Sequence, residues 1–330
     1  MKEGGGMGFI KKLLACALLC IGVAYGQELR LDRFAFGGCN IQHFKQTHWD
    51  TIAAVEPQLW VWDGDIIYAD HTPLWLREAE YNLLKNNPRY SALRASIPII
   101  GVWDDHDYGS NNQGVGYPEK EASKRLLLSF LDEPENSARW TRPGVYTSYK
   151  FGPPGSRAKI ILLDGRSFRE DPGPDAAMLG EEQWSWLLEE LTAGDARVIF
   201  LVSGTQILPD EHPGEHWGQY PRERARLLEM LTWSAAPVVI LSGDRHLAEI
   251  TQGTLADGRP LYEFTSSGLT HSSPRESPNS RRVGPLYREK NFGVVELDWD
   301  EWPLQARLQI WGTEGAFIHE QTISLEGSSH

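Results

Sequence analysis

The sequence predicts an α/β protein whose chemistry collects on one rim of a largely parallel sheet. Two observations carry this. Five short runs of aliphatic and β-branched residues each end in a polar cluster, and segments of helical period lie between them. Such runs fit strands buried on both faces, and strands alternating with helices build a parallel sheet.

Arg33-Phe34-Ala35-Phe36 forms a first strand, ending in Gly37-Gly38-Cys39-Asn40. The five runs follow: LWVWDGDIIYAD (59–70), IPIIGVWDDHDYG (97–109), AKIILLDGRSF (158–168), ARVIFLVSGTQ (196–206) and APVVILSGDRH (236–246). Helices are expected at EKEASKRLLLSFL (119–131), at EEQWSWLLEEL, where Trp184, Leu187, Leu188 and Leu191 share one face, and at PRERARLLEML. The last opens on Pro221, suited to a first helical turn, and repeats Leu227, Leu228 and Leu231. Near the C-terminus FGVVELDW, LQARLQIW and FIHEQTISL alternate apolar and polar residues. They predict antiparallel strands in a second sheet or at a sheet edge.

Residues 1–26 carry Lys11 and Lys12, a short apolar stretch and small residues before Gln27. They predict a secretory signal peptide cut near Gly26, with a buried N-terminal helix as the alternative, and hence a secreted or periplasmic protein. The apolar stretch is shorter than the ~20 residues of a membrane span. Cys16 and Cys20 leave with it, so Cys39 stands alone and no disulfide forms within one chain. Residues 27–330 show no linker, charge block or repeat and predict a single domain. With 41% hydrophobic residues and 13 Trp the whole sequence suffices for a sizeable core. The formal charge of −13 loses three Lys and one Glu with the leader, which takes away +2 and leaves −15. That balance argues against a nucleic-acid or anionic-membrane surface, and no protein partner is implied.

Ligands of open α/β sheets collect outside the carboxyl ends of the strands. Asp63, Asp65, Tyr68, Asp70, Asp104, Asp105, His106, Asp107, Asp164, Arg166, Asp244 and His246 all follow strands and should converge. So many carboxylates are unfavourable together unless cations neutralise them, and Asp, His, Tyr and Cys are competent metal ligands. Cys39 reads as a metal-ligating thiolate or as a small buried core residue. Asp65 and Tyr68, three apart, can face one ion, and Tyr oxygen prefers a hard ion such as Fe(III). His106 is a natural donor to a leaving oxygen. Asp244 and His246, two apart, point the same way in an extended chain.

The blocks GGCN, GDxxYAD, WDDHD, LDGRSFR and SGDRH together resemble the alkaline phosphatase D (PhoD-like) family of the calcineurin-like metallophosphoesterase superfamily, in order from about residue 34 to 271. The resemblance implies a four-layer α/β/β/α sandwich, two mixed sheets flanked by helices, around a multinuclear site. It implies Fe(III) and Ca²⁺ as cofactors, with Mn²⁺ or Zn²⁺ as alternatives. Asp65 would be the bridging ligand, Cys39, Tyr68 and Asp244 would complete an iron site with His246 beside them, and Asp105 and Asn111 would hold the second cation. His106 resembles the acid at the leaving group, and Arg166 the phosphate-binding side chain.

Two departures stand out. Ser203-Gly204-Thr205-Gln206 occupies the place of the superfamily's separate His ligand, which fits an oxygen-preferring second metal such as Ca²⁺. No counterpart of the larger members' N-terminal β-domain is present, so a less covered site accepting bulkier esters is expected.

The function expected is an exported metal-dependent phosphoesterase acting on monoesters, diesters or both, by attack of a metal-activated hydroxide, with a small phosphate ester as its partner. Arg166 would bind a non-bridging oxygen bidentately. The alternatives are a phospholipase-D-like phosphodiesterase of narrow specificity and a non-catalytic metal-binding exported protein. No G-x-S-x-G elbow or P-loop is present.

The remaining motifs read more plainly. Trp62 and Trp103 read as core wedges. HPGEHWGQYP (212–221) reads as a gating loop or as a solvated loop with one anchoring Trp. The stretch 265–282 reads as a mobile surface loop whose His271 would touch substrate, and Asp70 with His71 as support for Tyr68 or as a turn.

Overall fold

The computed structural model describes residues 29–70, 72–275 and 277–326; the expected signal peptide and His71 lie outside them. Among the described residues the helices are α1 (His48–Ala54), α2 (Leu74–Lys85), α3 (Pro88–Arg94), α4 (Asp105–Tyr108), α5 (Lys120–Phe130), α6 (Glu181–Thr192) and α7 (Pro221–Thr232). The first sheet joins β1 (Arg33–Gly37), β2 (Trp60–Trp62) and β3 (Ile99–Gly101) to β11 (Asn291–Asp298), β12 (Leu304–Gly312) and β13 (Phe317–Leu325). Its order is β13-β12-β11-β1-β2-β3. The second has β4 (Thr147–Phe151), β5 (Ala158–Leu162), β6 (Val198–Ser203), β7 (Val238–Ser242), β8 (Ala248–Thr254), β9 (Pro260–Ser266) and β10 (Arg282–Tyr287), ordered β10-β8-β9-β7-β6-β5-β4.

Each sheet has a parallel centre, β1–β2–β3 in one and β5–β6–β7–β9 in the other, with antiparallel strands added outside. The expectation of one largely parallel sheet is thereby corrected to two mixed sheets, the architecture the resemblance implied. The C-terminal strands add to the edge of the first sheet, β11 lying antiparallel to β1.

Side-chain alternation explains the layering. Ile160, Leu162, Phe200, Val202, Val239 and Leu241 pack inward with Phe34, Phe36 and Val295 of the facing sheet. Phe34 meets Phe200, and Phe36 meets Phe264, edge-on with centroids 4.9 Å apart. The alternate residues Ile161, Ile199, Leu201 and Ile240 pack outward against Trp184, Leu187 and Leu191 of α6 and Leu227 and Leu231 of α7. Strands covered on both faces leave mostly apolar positions, hence the nearly continuous apolar runs; Lys159 of β5 is buried with its Nζ donating to Glu190 O at 2.7 Å. On the outer side of the first sheet Trp49, Trp60, Trp62 and Tyr90 interlock, and Trp62 donates to Tyr90 Oη at 3.0 Å. Trp103 is buried too, and its indole donates to Asp164 Oδ1 at 2.9 Å, tying β3 to β5 at the rim.

Candidate metal centre

The carboxyl ends of the two parallel centres meet, and the chain there leaves regular geometry. Among the described non-glycine residues seven have positive φ, and four of these are Cys39, Asp65, Asp244 and His246. The left-handed conformation costs an L-residue roughly 1–2 kcal/mol, and such strain collects at functional sites. The chain at Asp244 and His246 is a tight turn and not, as expected, extended, and the two side chains enter different donor groups. Glycines allow the close approach: a Cβ on Gly64 (φ +124°) would fall 2.5 Å from Asp104 Cβ, and one on Gly204 would fall 2.3 Å from Asp104 Oδ1. Asp104 thus crowds Gly204 at the end of β6.

Asp65, 1% exposed, lies at the middle. On one side the Cys39 thiol donates to its Oδ2 at 3.5 Å and Tyr68 Oη donates to the same oxygen at 3.2 Å. Tyr68 Oη lies 3.0 Å from His246 Nε2 and 3.3 Å from His271 Nε2, and these nitrogens are 3.2 Å apart. Ligand atoms of Cys39, Asp65 and His246 lie within 4.8 Å of one another. His271 is held there because Thr270 Oγ1 accepts from Ile41 N–H at 2.8 Å and donates to Cys39 O at 3.1 Å.

On the other side Asp65, Asp104, Asp105 and Asp244 bring carboxylate oxygens within the same span, and Asp65 and Asp105 do so with a ring nitrogen of His106. Arg166 closes on Asp104 with Nε at 2.6 Å and Nη2 at 2.8 Å, and its Nη2 reaches Glu215 Oε2 at 2.7 Å. His106 N–H donates to Asp65 Oδ1 at 3.3 Å; its ring stacks on Tyr68 with centroids 4.1 Å apart, and its Nδ1 lies 2.5 Å from Asp70 Oδ2. Asp107 is an organiser: its oxygens accept the N–H groups of Asp104 at 2.7 Å and Ile66 at 3.1 Å.

Without cations this cluster is electrostatically poor. Burial, and then Asp105, pushes Asp65 well above the usual carboxylate range, and burial with Asp105 and Asp104 pushes Asp244 up to about 7. Burial with Asp65, Asp244 and Asp63 raises the Cys39 thiol. Asp63 is fully buried with both oxygens unpartnered and is raised by burial and Asp104. Burial lowers His246 to about 3, with His271 and His106 adding, so its ring is a neutral donor. Burial would also lower His106, but Asp65, Asp70 and Asp105 outweigh it and raise it to about 10. Buried acids beside neutral sulfur, phenol and imidazole donors are what a multivalent cation would stabilise, so the residues present fit the implied metals.

The structure therefore gathers Cys39, Asp65, Tyr68, Asp105, His106, Asp244, His246 and His271. Asn111 is not brought in: its side chain is exposed, while its N–H donates to Asp70 Oδ1 at 2.7 Å. The next residue, Asn112, donates its N–H to Asp105 Oδ2 at 2.6 Å. Arg166 stands behind the carboxylates, its side chain 1% exposed, so the two-nitrogen fork expected on a phosphoryl group is on Asp104 instead. Loop 212–221 is anchored by more than one Trp: His212, Glu215, His216 and Trp217 are all buried, while Pro213 and Pro221 are exposed. Nor is the start of 265–282 a surface loop, because Thr265 through Thr270 are buried. Sequence reasoning missed Glu215 and Arg169. The available signal was the second arginine, three residues after Arg166 on an acidic rim.

The likenesses to known proteins agree with this geometry. A family model described as PhoD-like phosphatase matches residues 34–298. Alkaline phosphatase D of Bacillus subtilis (strain 168) is 26% identical over 203 residues, which are 52% of this chain and 34% of that protein. The chain thus spans about a third of the length of this curated relative. A solved structure of PhoD superposes with a TM-score of 0.70 at 17% identity, over 92% of this chain and 72% of that one. GAP50, the anchor in the inner membrane complex of Plasmodium, gives 0.59 at 16% identity, over 90% of both. At such identities the two structures speak for the fold alone, whereas the family model covers every block around Asp65: the chain belongs to the PhoD-like phosphatase family.

Proposed function

We propose that the protein is an exported metal-dependent phosphoesterase that hydrolyses phosphate monoesters and diesters, with residues 1–26 as its signal peptide and 27–330 as one domain. The observation that carries the reading is the shared Asp65: its carboxylate belongs both to the Cys39–His246 donor group and to the Asp104–Asp105–Asp244 group. One acid serving two donor groups suits two adjacent cations. We assign Cys39, Tyr68 and His246 with Asp65 to an Fe(III)-type site, and Asp105 and Asp244, whose oxygens group with Asp65, to a Ca²⁺-type site.

Bound cations would neutralise the phosphoryl oxygens and activate water. The chain's own residues do the rest. His106 holds a proton because Asp70 receives its Nδ1 side at 2.5 Å, leaving Nε2–H for the departing oxygen. His271, beside Tyr68 and His246, is assigned to the substrate. Arg166 fixes Asp104 and balances its charge.

A narrower reading, a phosphodiesterase of amphiphilic esters, has one observation in its favour. Phe44, Trp75, Leu76 and Val115 are 51%, 75%, 36% and 41% exposed, on the segments that follow the ligand-bearing ends of β1, β2 and β3. Exposed large apolar groups on these segments would suit an apolar ligand.

The test is hydrolysis of p-nitrophenyl phosphate, bis-(p-nitrophenyl) phosphate and a short-chain phospholipid at alkaline pH, with and without chelation. Chelator-sensitive turnover supports the phosphoesterase, and the three rates rank the substrate classes. Metal-loaded protein that turns over none of them refutes it.

A further inference from the structure

We propose that Glu215 is a positioning residue for the cation held at Asp105, acting through two arginines; this rests on the metal-dependent reading above. Glu215 stands two residues before Trp217, whose indole is fully buried and donates to Ser203 Oγ at 3.2 Å at the end of β6. The Trp217 N–H donates to Gln206 O at 2.8 Å. A loop pinned this firmly to the second sheet delivers one carboxylate, 7% exposed, between two guanidinium groups.

From there two routes reach the first sheet. Glu215 Oε2 accepts from Arg166 Nη2 at 2.7 Å, and Arg166 grips both oxygens of Asp104. Glu215 Oε1 accepts from Arg169 Nη2. Arg169 Nη1 donates to Asn112 O at 2.8 Å, and Asn112 N–H holds Asp105 Oδ2 at 2.6 Å. Asn112 has φ 61°, a strained conformation stabilised by these two bonds. The side chains of Arg166, Arg169 and Asp104 are 1%, 4% and 3% exposed, so solvent cannot replace Glu215. Neutralising it leaves two buried guanidinium groups without their common anion. Arg169 then turns away, Asn112 loses its tether, and Asp105 loses a donor that aims it. Outer partners of metal ligands are typically worth about 10–100-fold in metal affinity.

The experiment is calorimetric titration of Ca²⁺ into the chelator-treated full chain, comparing wild type, Glu215→Gln and Arg169→Lys, with thermal unfolding of each Ca²⁺-free protein. Arg169→Lys keeps a cation for Glu215 but cannot also reach Asn112 O, so it carries the test if Glu215→Gln fails to fold. Both variants should bind Ca²⁺ about tenfold or more weakly, with Arg169→Lys melting within a few degrees of wild type. Wild-type affinity in Arg169→Lys, or in a folded Glu215→Gln, would overturn the assignment, as would a wild type that binds no Ca²⁺. A wild type that binds Ca²⁺ yet hydrolyses no ester removes the phosphoesterase reading alone, and the isotherms still decide Glu215.

Discussion

On one side of Asp65 stand Cys39, Tyr68, His246 and His271, donors that carry no charge in their ordinary protonation states. On the other stand Asp104, Asp105 and Asp244, with Arg166, Arg169 and Glu215 behind them. Among the described residues the first side makes no hydrogen bond to an Arg or Lys, and the His106 ring stacked on Tyr68 is spent on Asp70, so a thiolate or phenolate there depends on a metal ion. The second has its own guanidinium groups: burial alone would raise Asp105, yet Arg166 and His106 bring it below the usual carboxylate range. The difference predicts that the two sides can be emptied separately. A hard, highly charged ion suits the first and an oxygen-liganded divalent ion the second.

The largest effect should come from the residue both sides share. Asp65→Asn should lower kcat/KM by on the order of 10³-fold or more, since cation stabilisation is worth several kcal/mol, and should reduce the content of both metals. Retention of either metal at wild-type level would separate the two sides at Asp65. Next, Cys39→Ser should lower iron occupancy and activity together, by about 10–100-fold, with Ca²⁺ content kept. Normal iron in that variant would make the thiol structural.

Metal removal should be read in stability as well. Asp244 is raised to about 7 in the fold, so the folded chain binds its proton more tightly than the unfolded chain. The contribution of this group to the stability of the metal-free protein is therefore fullest at low pH and falls as pH rises from about 4 to about 7. Melting curves with and without chelator should diverge by several degrees across that window; parallel curves would mean that the carboxylates need no cation. The smallest effect is a shift in a pH profile. Asp70 holds His106 up, so Asp70→Asn should move the alkaline limb toward acid by about one unit, more clearly for esters with poor leaving groups. An unmoved limb would remove His106 as the proton donor.

The parallel centres were legible because strands buried on both faces leave uninterrupted apolar runs, and Asp65, Asp105 and Asp244 were legible because each follows such a run. β8 and β9 were not, since Glu249, Thr251, Glu263 and Thr265 are polar yet fully buried. Their partners, such as the Ile207 N–H that Glu263 accepts at 2.9 Å, lie far away in sequence. The segment beginning at Thr265 looked like a surface loop for the same reason. Its hydroxyls are spent internally, Ser267 Oγ on His246 N–H at 2.9 Å and Ser266 Oγ on Asn291 at 2.8 Å. Asn111 and Asn112 show the limit of motif matching. The second provides the backbone contact to Asp105, and nothing in the letters separates it from its neighbour.

The central claim is that Asp65 joins two different cation sites. Its most direct test is reconstitution of the chelated protein with Fe(III) alone, Ca²⁺ alone and both, followed by turnover of bis-(p-nitrophenyl) phosphate and metal analysis of each sample. Full turnover only with both ions, each at one per chain, is the predicted result. Full turnover with either ion alone, or two equivalents of one ion filling both sites, would contradict it.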